Sequence, residues 1–178
     1  MSRKLFVSIH LHLAAFFAPA VLLVAISGGL YLIGIKGEVE LETVYSGSIQ
    51  IDPNSDTLKS DIGSLLRSAG VVGFEFEYVK INGRTLYTRP TSSDHYVIQL
   101  GTAGVEIVHA RPNLQSRMIE LHKGHGPSAF KTYQKFFAMS LVLIIVSGLW
   151  LGLLNARLRR TTLYLVGVGG AIFSLLLL

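Results

Sequence analysis

The chain has 178 residues, of which 50% are hydrophobic and 15% are charged, with a formal net charge of +5 and a mean hydropathy of +0.49. This composition is too apolar for an ordinary soluble domain and predicts membrane-spanning helices. The sequence contains no cysteine, which excludes disulfides, iron–sulfur clusters, thiolate metal sites and covalently attached c-type haem.

The first predicted membrane helix is the uncharged stretch Leu13–Ile35. At about 1.5 Å per residue it is long enough to cross a hydrocarbon core of about 30 Å. Arg3 and Lys4 precede it, as basic residues precede the apolar part of a secretory signal. The apolar part is too long for such a signal, and Ser27-Gly28-Gly29 continues into further apolar residues. We therefore predict a retained anchor rather than a cleaved leader.

A polar segment follows the first span and predicts a small α+β domain, a sandwich of sheet and helix. Apolar residues at helical spacing predict a helix over Thr57–Ala69, which Gly70 ends. A further helix, Asn113–Leu121, is expected near the membrane. A period of two, with turn sequences between the runs, predicts four strands: Phe74–Val79, Thr85–Arg89, Tyr96–Leu100 and Val105–His109.

Two more apolar stretches complete the chain. Phe136–Leu154 is a second uncharged span, and Thr161–Leu178 is a third that is short for a full crossing. Basic residues flank the first span and fill the loop before the third, where Arg157, Arg159 and Arg160 lie. The positive-inside bias places both groups in the cytoplasm, so residues 36–131 face the opposite side.

The charge of the chain is distributed unevenly. Residues 36–131 contain all eleven acidic residues and ten of the basic ones, so this segment is nearly neutral. The net charge of +5 therefore comes from the cytoplasmic flanks and Lys135. It indicates topology and contact with anionic lipid, and it does not favour nucleic acid as a partner.

The histidines are the strongest indication of function. Four of the six flank the predicted spans: His10, His12, His122 and His125. Neutral imidazole is a common ligand of haem iron and of divalent metals. His122 and His125 share a helical face if the second helix begins early enough, and Glu120 is then a candidate further ligand for a divalent metal. The alternative is an interfacial histidine bonded to headgroups or backbone. His95 and His109 fall on strands and are expected to be ordinary sheet residues.

A b-type haem held by two histidines needs both imidazoles at one depth. His12 lies at the cytoplasmic end of the first span, whereas His122 and His125 lie at the exported end of the second, roughly 30 Å away along the membrane normal. No single haem bridges these positions. If haem is bound, two layers are expected, each completed within a pair, by another copy of the chain, or by a partner subunit.

The two main spans are also similar to each other. Leu23–Gly28 and Leu143–Gly148 share an apolar run that ends in Ser-Gly, and an aromatic residue follows each, Tyr31 or Trp150. Because the spans run in opposite directions, this pattern indicates an inverted repeat, although apolar helices often resemble each other by chance. The Ser-Gly pairs permit close helix contact.

The motifs together resemble a known family. A first span led by His10-Leu11-His12-Leu13, a helix–sheet domain, Leu-His-x-Gly-x-Gly from Leu121 and the segment Ser147-Gly148-Leu149-Trp150 are similar to the PepSY-associated transmembrane family of bacterial inner membranes. Its larger members include ferric-siderophore reductases, in which membrane histidines are thought to hold b-type haem and pass electrons across the bilayer. Those reductases are about twice as long, with at least four spans.

The resemblance implies a bacterial inner-membrane protein with a cytoplasmic N-terminus and a periplasmic PepSY-like domain. The expected fold class is two to three transmembrane helices with an exported α+β domain of helix and antiparallel sheet. The expected segments are residues 1–36 (N-terminus and first span), 37–131 (PepSY-like domain), 132–155 (second span), 156–160 (basic loop) and 161–178 (third span).

The leading functional hypothesis is a haem b protein of electron transfer, possible support for ferric iron or siderophore reduction, working as a homo-oligomer or beside a partner membrane subunit. The cofactor ligands are expected among His12, His122, His125 and His10. PepSY units are also associated with restraining peptidases, so the alternative is a non-catalytic anchored module that binds a partner protein. A third option is a divalent metal or haem carrier site at His122 and His125. Intramembrane acids are absent, so proton-driven transport is not expected.

Overall fold

The computed structural model describes residues 3–178; Met1 and Ser2, at the start of the predicted N-terminal segment, lie outside the described residues. Within that range the chain forms two compact units. We name the residues up to Val21 together with Lys135–Leu178 the helical unit, and Leu22–Gln134 the sheet unit. The elements in chain order are α1 (Arg3–Leu32), β1 (Val39–Gly47), α2 (Leu58–Ser68), β2 (Tyr78–Asn82), β3 (Thr85–Arg89), β4 (His95–Leu100), β5 (Val105–Pro112), α3 (Leu114–His122), α4 (Ser128–Leu154) and α5 (Arg159–Leu177).

Three helices within residues 3–178 are long and apolar enough to cross a membrane: Lys4–Leu32, Ser128–Leu154 and Arg159–Leu177. Large apolar side chains along them are exposed, as Phe16, Val142 and Phe173 illustrate. Such extended apolar surface is stable in lipid and costly in water. The chain is therefore a membrane protein. The three predicted spans are confirmed as helices, but the expectation that the third is short for a full crossing is wrong, because its helix begins at Arg159. Helices α1 and α4 also begin earlier than predicted, since apolarity marks the part of a helix in the membrane and not its first turn.

The helical unit is held together by aromatic and small residues. Phe17 of α1 and Phe137 of α4 are buried, with ring centroids 5.9 Å apart. At the other end of α4, Gly152 lies against α5 so closely that an added Cβ would stand 2.7 Å from the Thr162 hydroxyl. Large side chains fill one contact and the absence of a side chain permits the other.

The sheet unit is built on an antiparallel sheet with the strand order β1-β5-β4-β3-β2. Leu86, Ile98 and Ile107 lie in one row across three strands and are fully buried. The apolar stripe of α2, which includes Ile62 and Leu66, packs against this row. Burying each of these side chains stabilises the fold by roughly 1.5–3 kcal/mol.

The opposite face of the sheet is covered by α3, which contacts β5. Strand alternation places His95 and Ala110 on this face, and both are buried, as is Ile119 of α3. Asn113 caps the start of α3 by accepting a hydrogen bond from the Ser116 amide. The sheet therefore lies between α2 and α3, and the end of α3 is positioned by this packing.

The start of α4 is also attached to the sheet. The backbone amide and the hydroxyl of Ser128 both donate to the carboxylate of Glu77, at 2.9 and 2.6 Å. These hydrogen bonds lower the pKa of Glu77. A carboxylate at this place satisfies donors that the first turn of a helix leaves without an internal partner.

The predicted helices α2 and α3 and the strands β3, β4 and β5 are confirmed. The predicted strand over Phe74–Val79 is wrong in its first part, because β2 begins at Tyr78. Phe74 and Phe76 alternate for another reason: they pack half-buried against the core, and the Phe74 ring contacts the edge of Tyr96 at 4.7 Å. Strand β1, which pairs with β5, was not predicted.

Candidate cofactor-binding histidines

His122, the last residue of α3, contacts Ser27 of α1 within the sheet unit. Its Nδ1 lies 3.0 Å from the Ser27 Oγ, and this hydroxyl lies 2.6 Å from the carbonyl oxygen of Leu23. A hydroxyl has one proton, and the shorter contact shows that Ser27 donates it to Leu23. The Nδ1–H of His122 therefore donates to Ser27, and in the neutral ring with this tautomer Nε2 carries the lone pair.

Gly28 permits the close approach of this imidazole. A Cβ added at Gly28 would stand 3.1 Å from Cε1 of His122, tighter than an ordinary van der Waals contact. Ser27 itself is almost fully buried. The Ser-Gly pair thus supplies a hydrogen-bond acceptor and a flat surface for one imidazole ring.

The helical unit contains the same arrangement around His10. The Nδ1 of His10 lies 2.8 Å from the Oγ of Ser147 in α4. The Ser147 hydroxyl lies 2.6 Å from the carbonyl oxygen of Leu143, and a Cβ added at Gly148 would stand 3.3 Å from Cε1 of His10. The proton assignment is therefore the same: Nδ1–H is the donor, and in the neutral ring Nε2 carries the lone pair.

These two contacts coincide with the two halves of the predicted repeat. Ser27-Gly28 and Ser147-Gly148 end the two similar apolar runs, and each pair receives an imidazole from another helix through the same atoms. Sequence reasoning assigned the Ser-Gly pairs only to helix packing and missed their role as histidine partners. The available signal was the repeated Ser-Gly at equivalent places in the two spans.

His12 is placed differently from His10. Its Nδ1 lies 2.6 Å from the carbonyl oxygen of Ser8, one turn earlier in α1, and the contact is exposed. Nδ1–H is the donor in this bond too, because a carbonyl oxygen can only accept. His12 is therefore oriented by its own helix.

His122 and His125 do not share a helical face. Helix α3 ends at His122 and α4 begins at Ser128. Gly124 takes a left-handed conformation, with φ of 77°, and the amide of His125 donates back to the Glu120 carbonyl. This pattern of bonds is a Schellman motif, which ends a helix and turns the chain away from its axis.

Glu120 is the centre of a polar cluster that holds His125. Its carboxylate accepts hydrogen bonds from the Thr91 hydroxyl at 2.6 Å, from Nδ1 of His125 at 2.8 Å and from Nζ of Lys123 at 3.1 Å. Burial alone would raise the pKa of Glu120, but these hydrogen bonds outweigh it and lower the pKa. Arg89, which donates to Thr91, is buried. The cluster fixes the loop after α3.

The predicted divalent metal site at His122 and His125 remains a prediction. In the described part of the chain, no group of three or more histidine, cysteine, aspartate or glutamate side chains could hold a metal ion. Glu120 accepts hydrogen bonds from Thr91 and Lys123 as well as from His125.

The remaining histidines have structural contacts in the sheet. The buried His95 donates from Nδ1 to the Ser93 carbonyl, and its burial lowers its pKa. His109 stacks on the Tyr96 ring with centroids 4.7 Å apart.

The profile of the PepSY_TM-like family matches residues 80–178, more than half of the chain. The chain belongs to the PepSY_TM-like family. The resemblance seen in the sequence is thereby confirmed at the level of the family. No curated protein and no solved structure matches the chain.

The PepSY_TM-like match includes one member of each contact pair. His122 and Ser147-Gly148 lie inside the matched residues, whereas His10 and Ser27-Gly28 precede them. The donor set suits a b-type haem, because two imidazoles are each held at Nδ1 by a serine, His10 on the apolar helix α1 and His122 at the end of the polar helix α3, and the sequence has no cysteine for thioether attachment. Haem ligands are commonly oriented by a hydrogen bond at Nδ1.

Proposed function

We propose that this PepSY_TM-like protein binds haem b through His10 and His122 and serves in electron transfer. The supporting observation is the pair of matched His–Ser contacts, which occupy Nδ1 at both positions and make Nε2 the nitrogen for the iron. His12 and His125 also use Nδ1 in hydrogen bonds and remain alternative ligands under this proposal.

The proposed location is the bacterial inner membrane, with the sheet unit on the periplasmic side. Arg157 lies at the turn between α4 and α5, Arg159 and Arg160 lie in the first turn of α5, and Lys4 lies in the first turn of α1. The positive-inside bias favours the cytoplasm for both places. The strands and α2 would then be periplasmic, as in the family resemblance.

The chain would contribute ligation, orientation and exclusion of water. When bound, haem b supplies a one-electron couple between ferric and ferrous iron. Ser27 and Ser147 hold the imidazole rings, and a hydrogen bond at Nδ1 makes Nε2 a stronger donor. The exposed apolar surfaces of α1 and α4 would lie in lipid, which would keep water from His10. Ferric iron or a siderophore at the periplasmic face is the proposed acceptor, in line with the reductases of the larger family members.

An absorption spectrum tests the proposal. Protein purified in detergent from haem-replete cells should give a sharp Soret and α band after dithionite. The matched variants are His122→Asn and His10→Asn, whose amide can still donate to the serine but offers iron no imidazole. Each should lower the haem content while the helix content, measured by circular dichroism, stays unchanged. A colourless wild-type preparation would reject the proposal.

Elemental analysis of the same preparations distinguishes haem ligation from the binding of a divalent metal. Iron that follows the haem absorbance supports haem ligation. A divalent metal that is lost in His122→Ala, in a preparation without haem, would support the carrier site at His122 and His125 instead.

A second candidate function is a non-catalytic module that binds or restrains a partner protein. The observation that favours it is a groove of about 630 Å³ on the sheet unit, between α2 and the segment Phe74–Phe76. Its lining combines aromatic and charged residues, including Lys59 and Glu75. Complementation of a deletion strain distinguishes the two functions. This candidate predicts that His10→Ala and His122→Ala still complement, whereas Phe76→Ala does not.

A further inference from the structure

The helical unit offers one suitable imidazole for a haem iron at the depth of His10. His10 and His12 are its histidines among the described residues. Residues two apart on a helix point about 200° away from each other, so these two rings cannot take opposite sides of one iron. His12 is also held by the carbonyl of Ser8, on its own helix. A second axial imidazole for His10 must come from elsewhere.

The sheet unit gives His122 no better partner. His95 is buried and bonded to Ser93, and His109 is stacked on Tyr96. His125 follows the Schellman turn and is held by Glu120, whereas His122 is held by Ser27. Across the described residues, every other imidazole of this unit thus has its own structural contact.

We propose that a second copy of this chain supplies the missing axial ligand at both positions. The two copies would form a two-fold dimer with the axis along the membrane normal, in which His10 faces His10 and His122 faces His122 of the other copy. This inference rests on the proposed haem function. The proposed dimer would hold two haems for its two chains.

Symmetry explains why a second copy fits better than an unrelated subunit. A rotation about the membrane normal leaves every residue at its own depth, so equivalent histidines always meet at one level. An unrelated partner would have to present imidazoles at the same two depths independently. Around His10 the side chains of α1 and α4 are apolar and uncharged, so a dimer would bury no unpaired charge there. Beside His122, the charge of Lys123 is paired with Glu120 at 3.1 Å.

The small residues beside the histidines fit such an arrangement. Gly28 and Gly148 flank the two rings, and nothing stands within 4 Å of a Cβ added at Gly29. Residues without side chains allow another helix or a flat macrocycle to approach the backbone.

The test uses full-length protein in lipid nanodiscs, with two differently tagged copies expressed together and isolated through both tags. The readouts are the mass of the particle, the ratio of haem to chain and the electron paramagnetic resonance of the oxidised protein. A pair of wild-type copies should show two haems per two chains, both low-spin, as expected for two imidazoles per iron. This pair is also the control for the tags.

The decisive sample pairs a wild-type copy with a His122→Asn copy. In this mixed pair only one imidazole remains at the depth of His122. About half of the low-spin signal should therefore become high-spin or disappear. The haem at the depth of His10 should stay low-spin. The reciprocal pair with His10→Asn should affect the other half.

The outcomes distinguish the dimer from the haem proposal itself. A single chain that holds low-spin haem, or a mixed pair that keeps all of its low-spin signal, would overturn the dimer and leave haem binding standing. Wild-type protein without haem would overturn both. A dimer without haem would also overturn the inference, because the second copy would then complete no site.

Discussion

The His10–Ser147 contact and the His122–Ser27 contact use the same atoms in two different settings. His10 lies within the long helix α1, and packing between apolar helices positions it. His122 lies at the end of a short helix, and the sheet, the Asn113 cap and the Glu120 cluster all fix that helix. The same His–Ser arrangement can therefore be built either by packing between apolar helices or within a unit that contains a folded sheet.

The largest effect should follow from breaking the core of the sheet unit. Ile98→Ala removes a fully buried side chain from the central row and should lower the free energy of unfolding by about 2–5 kcal/mol. If the proposed function holds, haem bound through His122 should be lost before haem bound through His10. Thermal unfolding followed at the Soret band and by circular dichroism measures both.

The matched control for that change is Val72→Ala, because Val72 is 87% exposed in the same unit. Its effect should stay within about 0.5 kcal/mol. Equal loss of both haem signals in Ile98→Ala would show that the two settings are not independent.

The next effect concerns the glycines beside the imidazoles. Gly28→Ala and Gly148→Ala place a methyl group against Cε1 of His122 or His10, and overpacking of this kind costs about 1–3 kcal/mol. The contact at Gly28 is tighter, so haem affinity should fall more there. Gly29→Ala is the control, since its Cβ meets no atom within 4 Å. A titration of apo-protein with haem measures the three affinities.

A smaller effect is expected when the serines are removed. Ser27→Ala and Ser147→Ala each remove one hydrogen bond from an imidazole that is not fully buried, at a net cost of about 0.5–1.5 kcal/mol. The weakened Nε2 donor favours ferric iron less, so the midpoint potential should rise. Redox titration measures this shift. Ser27→Thr keeps the hydroxyl and should restore the original potential; a shift equal to that of Ser27→Ala would argue against the hydrogen bond as the cause.

The smallest expected effect is a change of stability with pH. It concerns the Glu120 cluster, which fixes the helix of His122, and not the His10 contact. The pKa of Glu120 is lowered in the folded protein from its usual 4.5. The stability that this carboxylate contributes is therefore fully present above that value and is lost as the pH falls through the lower, folded-state pKa. Wild type and Glu120→Gln should differ in melting temperature at neutral pH and converge in acid. A difference that stays constant into acid would contradict this role for Glu120.

Local patterns in the sequence were sufficient for much of this architecture. The three spans follow from apolar length, and β3, β4 and β5 follow from alternation and turns. Strand β1 was missed although Val39 and Leu41 alternate with Glu40 and Glu42, because most of its side chains are exposed at the sheet edge and an irregularity between Thr43 and Tyr45 ends the alternation.

The serine partners of the histidines could not be predicted from such local patterns. Ser27 and His122 are 95 residues apart in the chain, and His10 and Ser147 are 137 apart. Their contacts depend on how helices meet in three dimensions, and the sequence alone shows only that each residue type is present. The position of His125 likewise depends on one left-handed residue, Gly124, which separates it from the helix of His122.

The attachment of Ser128 to Glu77 has a consequence for communication across the molecule. The first residue of a membrane helix is bonded to a carboxylate that directly precedes β2, on the surface of the extramembrane sheet. A cation or basic ligand that captured this carboxylate would release the helix start and expose its amide. Binding at this exposed carboxylate would therefore change the start of a membrane helix.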